Sequence, residues 1–273
     1  MPKVNANGAT INYEIMGDGP PVLFIHGSGV SWRMWEPQFE DFSPKFKMIM
    51  VDLRGHGESS KDFPGGKYDH FLLAEDMKEF LDAIGEKNVH VVGVSQGAQI
   101  GTLLAIHHPA YVNRLVISNS YSEFPSPASK WVLNLSNFIF SLLPYNVILS
   151  LMLKVYKEDT YTQEIIRKTI SIDKKMMLAM KKAPFPYHTH LLNKIKSPTL
   201  IMGGEGKVVT GIYEGKASAI IFDNMHENAT LALFKGAFDP LSTMRKELFN
   251  EMVIDFLQGK KLKDYQGVII QSK

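Results

Sequence analysis

The chain has 273 residues, 45% of them hydrophobic and 21% charged, with a formal net charge of +2 and no cysteine. That length allows one or two domains at roughly 150 residues each, and the apolar share is enough for a large core. The weak charge argues against a dedicated nucleic-acid binder. The lack of cysteine excludes a disulfide framework or a thiolate zinc site. Met1 to Ala6 carries no apolar signal core, so a cytoplasmic location is expected.

Lys3 to Ala6 and Thr10 to Met16 read as two strands about an Asn7-Gly8 turn, a strong hairpin dipeptide. Gly17 to Pro21 is a turn, and Val22 to Ile25 a buried strand that runs into His26-Gly27-Ser28-Gly29. Trp32 to Phe42 predicts a helix, and Phe46 to Val51 a strand followed by Asp52-Leu53-Arg54-Gly55-His56-Gly57-Glu58-Ser59. Phe71, Ala74, Met77, Leu81 and Ile84 recur at helical spacing up to Gly85.

The stretch from Asn88 to His107 organises the chain. Val89 to Val94 is a short β-branched run, as a central strand should be. From Ala98 the pattern is helical, and it stops before Pro109. Between them stands Gly93-Val94-Ser95-Gln96-Gly97. A strand that turns sharply into a helix forces the middle residue into a strained backbone, and glycine on either side lets the chains pass closely. The turn lifts the Ser95 hydroxyl to the sheet's C-terminal edge and aims the Gln96 N–H at the same spot. His107 and His108 close this helix, too far along it to reach Ser95.

Leu115 to Ser118 is a further strand. From Tyr121 to Leu191 four helical stretches follow: Lys130 to Leu142, Val147 to Tyr156, Tyr161 to Ile170 and Lys174 to Lys182. Trp131 to Leu153 carries no charge, and its length suffices for a membrane span. Asn134, Asn137 and the Pro144-Tyr145-Asn146 break favour two short buried helices instead. Strands resume at Pro198 to Met202 and Ala229 to Phe234, Arg245 to Leu257 is a closing helix, and the basic tail from Gly259 is weakly patterned. Strands alternating with helices predict an α/β fold with a mostly parallel sheet covered on both faces.

The motifs at His26 to Gly29, Asp52 to Ser59 and Gly93 to Gly97, in this order, resemble the alpha/beta-hydrolase superfamily. The resemblance implies an eight-stranded, mostly parallel sheet, with residues 1–120 and 192–258 as the core, 121–191 as a helical cap and 259–273 as a tail outside it. It makes Ser95 the nucleophile and the backbone N–H groups of Gln96 and Ser28 the oxyanion hole. Gly27 and Gly29 give that loop room, and His26 shapes it. Asp52, Arg54 and His56 brace loops rather than react. Apolar cap residues (Trp131, Phe138, Phe140, Tyr145, Met152) would line the pocket. No cofactor is implied.

The chain departs from the family at the other two triad positions. The acid ordinarily follows the strand that here ends at Met202, and if Val208-Val209 is the apolar pair of that pattern, Gly206 stands where aspartate should. Glu205, one residue away, is either a substitute acid or a loop charge in water. The histidine ordinarily follows the last strand. Counting back from Asp255-Phe256-Leu257 puts Asp239 there, and no histidine follows His226. Asp239 is either a base whose pKa burial has raised or a turn residue before Pro240. His188 and His190, on the cap's return, are further pocket candidates and alternative bases; with no third ligand near them no metal site is expected. Asn119 and Glu123 stand at the acid position that some family members use.

Two functions follow. One is a hydrolase of a small, largely apolar ester, lactone or ketone, with Ser95 as nucleophile. The other is a catalytically degenerate relative that binds an apolar ligand or acts as a lyase. Either partner is a small molecule, not a nucleic acid or a membrane span. Composition says nothing of oligomeric state.

Overall fold

The structure is a computed structural model that describes residues 2–206 and 212–273. Val208 and Val209, used above to align Gly206, lie outside the described residues.

The hairpin forms as predicted. β1 (Lys3–Ala6) and β2 (Ala9–Met16) pair antiparallel, with Asn7 and Gly8 at φ 47° and 70°, the left-handed region that a tight hairpin turn needs. β3 (Pro21–Ile25) then leads to the predicted helix at Trp32. Pro37 lacks a donor N–H, so the segment is a 3₁₀ turn over Trp32–Gln38 and only one α-turn, α1 (Phe39–Phe42), follows. β4 (Lys47–Val51), α2 (His70–Ala83), β5 (Val89–Val94), α3 (Gln96–His107) and β6 (Val112–Ser118) complete the first half.

Four helices stand between β6 and β7: α4 (Pro127–Leu142), α5 (Tyr145–Lys154), α6 (Thr160–Thr169) and α7 (Lys174–Lys182). Pro144 separates α4 from α5, and among the described residues no helix is long and apolar enough to cross a membrane. These two helices are not buried, however. Of their 26 positions only Ser129 and Ile148 are buried. β7 (Thr199–Gly204), α8 (Glu214–Asn224), β8 (Ala229–Phe234), α9 (Leu241–Met244), α10 (Lys246–Leu257) and β9 (Val268–Ser272) follow.

The sheet order is β1-β2-β4-β3-β5-β6-β7-β8-β9, with β3 to β8 parallel and the edge strands antiparallel. Among the described residues it has nine strands, not eight, because the tail supplies β9 along β8. β9 is half exposed along its length, and such an edge strand shows no clean apolar signal. α8 also escaped the sequence reading. Its inner face is built from Gly215, Ala217 and Ser218 before Ile221 and Phe222, so its apolar period is weak.

The continuous apolar strands hide a period of two. Leu23, Ile25, Ile49, Val51 and Val91 enter one core, with α2 and α3. Val22, Phe24, Met48, Met50, Val92 and Val94 enter the other, with Trp35, Phe42 and α10. Both faces are therefore dry, which holds the C-terminal strand ends, where Ser95 sits, in fixed positions.

Candidate active site

Ser95 follows directly on β5 and precedes α3, at φ 54° and ψ −116°. A serine in that region stores on the order of 1–3 kcal/mol of strain, sustained only where the surroundings over-determine it. Here they do. The Ser95 N–H donates to the Ser118 carbonyl at 2.8 Å, and its own carbonyl accepts from Ala98 and Gln99. A Cβ on Gly93 would stand 2.6 Å from Ala98 Cα, and one on Gly97 would overlap the carbonyl oxygen of Ile25. Glycine at those two positions lets α3 press onto β3 and β5.

The loop after β3 runs alongside. A Cβ on Gly27 would lie 3.6 Å from Ser95 Cβ, which puts the His26–Gly29 turn against the elbow. His26 is wholly buried and neutral in its bonding: Nδ1 donates to the Gly27 carbonyl at 2.7 Å and Nε2 accepts from the Leu53 N–H at 3.0 Å. Burial pulls its pKa down. His56 Nε2 accepts from the Gly29 N–H at 3.1 Å, and burial holds that ring well below the usual histidine range. Asp52 accepts from Trp32 N–H, Asn12 Nδ2 and Glu58 N–H, and Arg54 forks onto Asp76 at 2.8 and 2.7 Å. These four side chains are engaged in holding loops. Ser28 itself is exposed, at the mouth of the turn.

Asp239 comes from the loop after β8, and its side chain stands beside Ser95. Its backbone is clamped on both sides. Its N–H donates to Glu214 Oε1 at 3.0 Å and its carbonyl accepts from Tyr156 Oη at 2.9 Å. Two residues on, the Leu241 N–H donates to Asn119 Oδ1 at 3.1 Å. Burial first, and then the Glu214 carboxylate, push the Asp239 carboxyl up to about 8, against the opposing influence of the neighbouring Ser95 hydroxyl.

The carboxylate beside Asp239 is Glu214, which the sequence reading passed over. It opens α8, where a negative charge suits the helix N-terminus. Besides Asp239, it accepts from Asn119 Nδ2 at 2.7 Å and the Gly204 N–H at 3.3 Å. Burial raises its pKa and these donors oppose the rise. Glu205 makes none of these bonds among the described residues. Its N–H pairs with the Phe234 carbonyl and its side chain passes along Gly215. The Gly206 N–H donates to the Ala237 carbonyl at 2.7 Å, which ties the β7 and β8 loops together. Glu214 escaped notice because it lies ten residues past the end of β7, beyond the expected spacing.

The two cap-return histidines do not join Ser95. His188 is buried, its Nδ1 donates to the Pro186 carbonyl at 2.5 Å, and it neighbours His70. His190 is exposed. His70, pushed down to about 4 by burial, lies with Tyr68 at the Gln96 side chain, and Gln96 Nε2 donates to Tyr68 Oη at 2.5 Å. Of the apolar insert residues expected to line a pocket, Trp131, Phe138 and Met152 are exposed at 66%, 63% and 41%. The aromatic rings near the site are instead Tyr156, stacked on Phe238 at 5.6 Å, and Tyr121, whose hydroxyl burial and the Asp239 charge push up to about 12. A separate surface cavity of about 570 Å³ opens between α5 and α6, lined by Leu149, Leu153, Gln163 and Arg167 among others, and shares no residue with this site.

A mostly parallel sheet whose central strand ends in a strained Gly-x-Ser-x-Gly turn, flanked by the loops after β3 and β8, defines the alpha/beta-hydrolase class. The family model described as alpha/beta hydrolase fold matches residues 20–145. A putative carbamate hydrolase, RutD, of Azorhizobium caulinodans is 35% identical over 123 residues, 45% of this chain and 46% of that protein. The 3-oxoadipate enol-lactonase 2 of Acinetobacter baylyi is 32% identical over 130 residues, 47% of this chain and 48% of that protein. The enol-lactonase structure from Burkholderia xenovorans superposes with a TM-score of 0.81 at 21% identity, over 94% of this chain and 100% of that one. The chain has the alpha/beta-hydrolase fold, and its first half resembles that family in sequence. It spans about half the length of the curated relatives it matches, and Glu214 and Asp239 lie outside the stretch that the family model covers.

Proposed function

We propose that the protein is a serine hydrolase of small, largely apolar esters or lactones, in which Asp239 takes the proton that histidine takes elsewhere in the family. The observation that carries the reading is the Ser95 hydroxyl at φ 54° against a carboxyl whose pKa is raised to about 8. An ordinary carboxylate, near 3.9, is too weak a base for a serine hydroxyl. One raised to about 8 has a basicity comparable to imidazole.

Ionised Asp239 accepts the Ser95 proton as Oγ bonds to the substrate carbonyl carbon. The carbonyl oxygen, now negative, is held by the backbone N–H groups of Gln96 and Ser28, donors fixed before charge develops. The intermediate collapses, the acyl group stays on Ser95, and protonated Asp239 returns the proton to the leaving alkoxide. Water then enters and gives a proton to Asp239 as its oxygen bonds to the acyl carbon; the second intermediate collapses, the bond to Ser95 Oγ breaks, Asp239 returns the proton to Oγ, and the acid leaves. Glu214 and Tyr156 hold the Asp239 backbone throughout, and the α4–α7 insert covers the pocket as a cap. The names of the carbamate hydrolase and enol-lactonase relatives support acyl chemistry of this kind.

A panel of aryl esters, lactones and carbamates on wild type, Ser95→Ala and Asp239→Asn tests the reading. Turnover lost in both variants, with stoichiometric fluorophosphonate labelling of Ser95, is expected. Equal rates in wild type and Ser95→Ala overturn it. A second reading has its own observation: at neutral pH most Asp239 is protonated, which suits a ligand-binding protein that does no acyl transfer. It predicts no labelling together with a thermal shift on an apolar ligand.

A further inference from the structure

Among the described residues, one apolar stripe along α4 is left uncovered. Trp131, Leu135, Phe138 and Leu142 recur at steps of four, three and four, one stripe of a helix. All four are exposed, Leu142 at 69%. Past Pro144 the exposure continues on α5 with Val147 and Leu151. Scattered apolar side chains on a surface are ordinary, but a helix-long stripe of large ones is not.

The charge around the stripe says what covers it. No acidic residue occurs between Glu123 and Glu158. Lys130, Lys154 and Lys157 border the stripe along the chain and are exposed. From α7, Lys174 Nζ reaches the Ser141 carbonyl at 3.2 Å, and Lys181 Nζ reaches Asn137 Oδ1 at 3.0 Å while lying over the Phe140 ring. Between residues 121 and 191 nine Lys and Arg face five Asp and Glu, so this insert holds more than the whole net positive charge of the molecule. A second copy docked face to face would bring those lysines together without a counter-charge. Aromatic and leucine side chains rimmed by lysine, on a helix about 24 Å long at 1.5 Å per residue, suit the plane of an anionic bilayer surface and are too short to span it.

We propose that the outer face of α4, with the start of α5, docks on an anionic lipid surface, Trp131 and Phe138 entering the acyl boundary and the flanking lysines meeting headgroup phosphates. The docking is independent of the chemistry at Ser95. Of three tryptophans, Trp32 and Trp35 are buried, so a change in emission reports Trp131.

The test is co-sedimentation and tryptophan emission of the full chain with phosphatidylcholine vesicles, with and without phosphatidylglycerol, repeated on Ser95→Ala to separate binding from turnover. Binding that needs phosphatidylglycerol, a blue shift, and weakening by salt are expected. Phe138→Asp should lower the affinity about tenfold or more, and Lys130→Gln with Lys154→Gln and Lys157→Gln by a similar factor. Trp131→Gln, at an exposed position, repeats the test if Phe138→Asp misfolds. No binding to the anionic vesicles, or binding indifferent to these variants, overturns the proposal. Self-association at micromolar concentration that Phe138→Asp abolishes also overturns it, and assigns the face to a second copy.

Discussion

The Asp239 N–H donates to Glu214 Oε1 at 3.0 Å, so the acidic residue beside the Ser95 partner grips its main chain. Burial and this second carboxylate act in the same direction on the Asp239 proton. A residue type that is ordinarily ionised is thereby held mostly neutral at pH 7, close to a point where it can both accept and return a proton.

The pH profile follows. If Asp239 must be ionised to accept the Ser95 proton, kcat/KM for an ester should rise with pH and level off above about 8, where the carboxyl has lost its proton. At pH 7 only about one-tenth of the molecules would be competent. Asp239→Asn should remove the limb and reduce the rate by about 10³-fold or more, since what remains comes from the oxyanion donors and binding. A flat profile in wild type between pH 6 and 9 contradicts the assignment.

Stability should run the opposite way. The folded pKa of Asp239 lies above its unfolded value of 3.8, so the folded state holds the proton more tightly. The contribution to stability is complete below about 4 and is lost as pH rises toward 8, at up to about 1.4 kcal/mol per pH unit. Asp239→Asn should therefore be more stable than wild type at pH 8 and similar at pH 4. Thermal denaturation at the two pH values checks this, and a destabilised variant at pH 8 would contradict it.

Glu214→Gln isolates the neighbour. The amide keeps one acceptor oxygen where the carboxylate used two, for Asp239 N–H on one side and Asn119 Nδ2 and Gly204 N–H on the other. A loss of about 1–3 kcal/mol is expected from the donors left unsatisfied. Removing the charge should also lower the Asp239 pKa, so the activity limb moves to lower pH. A limb that stays in place would show that Glu214 acts on packing alone.

Gly97→Ala tests the elbow. The added Cβ would overlap the Ile25 carbonyl oxygen, and backbone there cannot give way without moving β3. A cost of about 2–3 kcal/mol or more, or failure to fold, is expected by chemical denaturation. Gly8→Ala, where a Cβ meets nothing within 4 Å but φ is +70°, should cost only about 1 kcal/mol.

Arg54→Met should leave a buried Asp76 with no cation, since Arg54 is its ion-pair partner. Breaking such a pair from one side costs about 3–5 kcal/mol. Because this pair braces a loop away from Ser95, the folded fraction should retain its reactivity to a serine probe.

The alternation of apolar runs with helical patterns determined the parallel sheet, and Gly93-Val94-Ser95-Gln96-Gly97 determined the elbow, because both depend on neighbours in the chain. His26, Asp52, Arg54 and His56 were legible as loop residues from the turn motifs around them, but their partners were not: Asp52 meets Asn12 and Trp32 across 40 and 20 positions, and Arg54 meets Asp76 across 22. The absence of a histidine after β8 was equally plain, and it brought Asp239 forward. Only the tertiary structure could decide what Asp239 touches. Glu214 and Tyr156 reach it from α8 and the insert, across 25 and 83 positions of chain, and Asn119, just past β6, holds Leu241 two residues on, across 122. No local period records such a meeting. The outward turn of Trp131 and Phe138 was decided there too, since an apolar stripe on a helix does not itself say whether the core will take it.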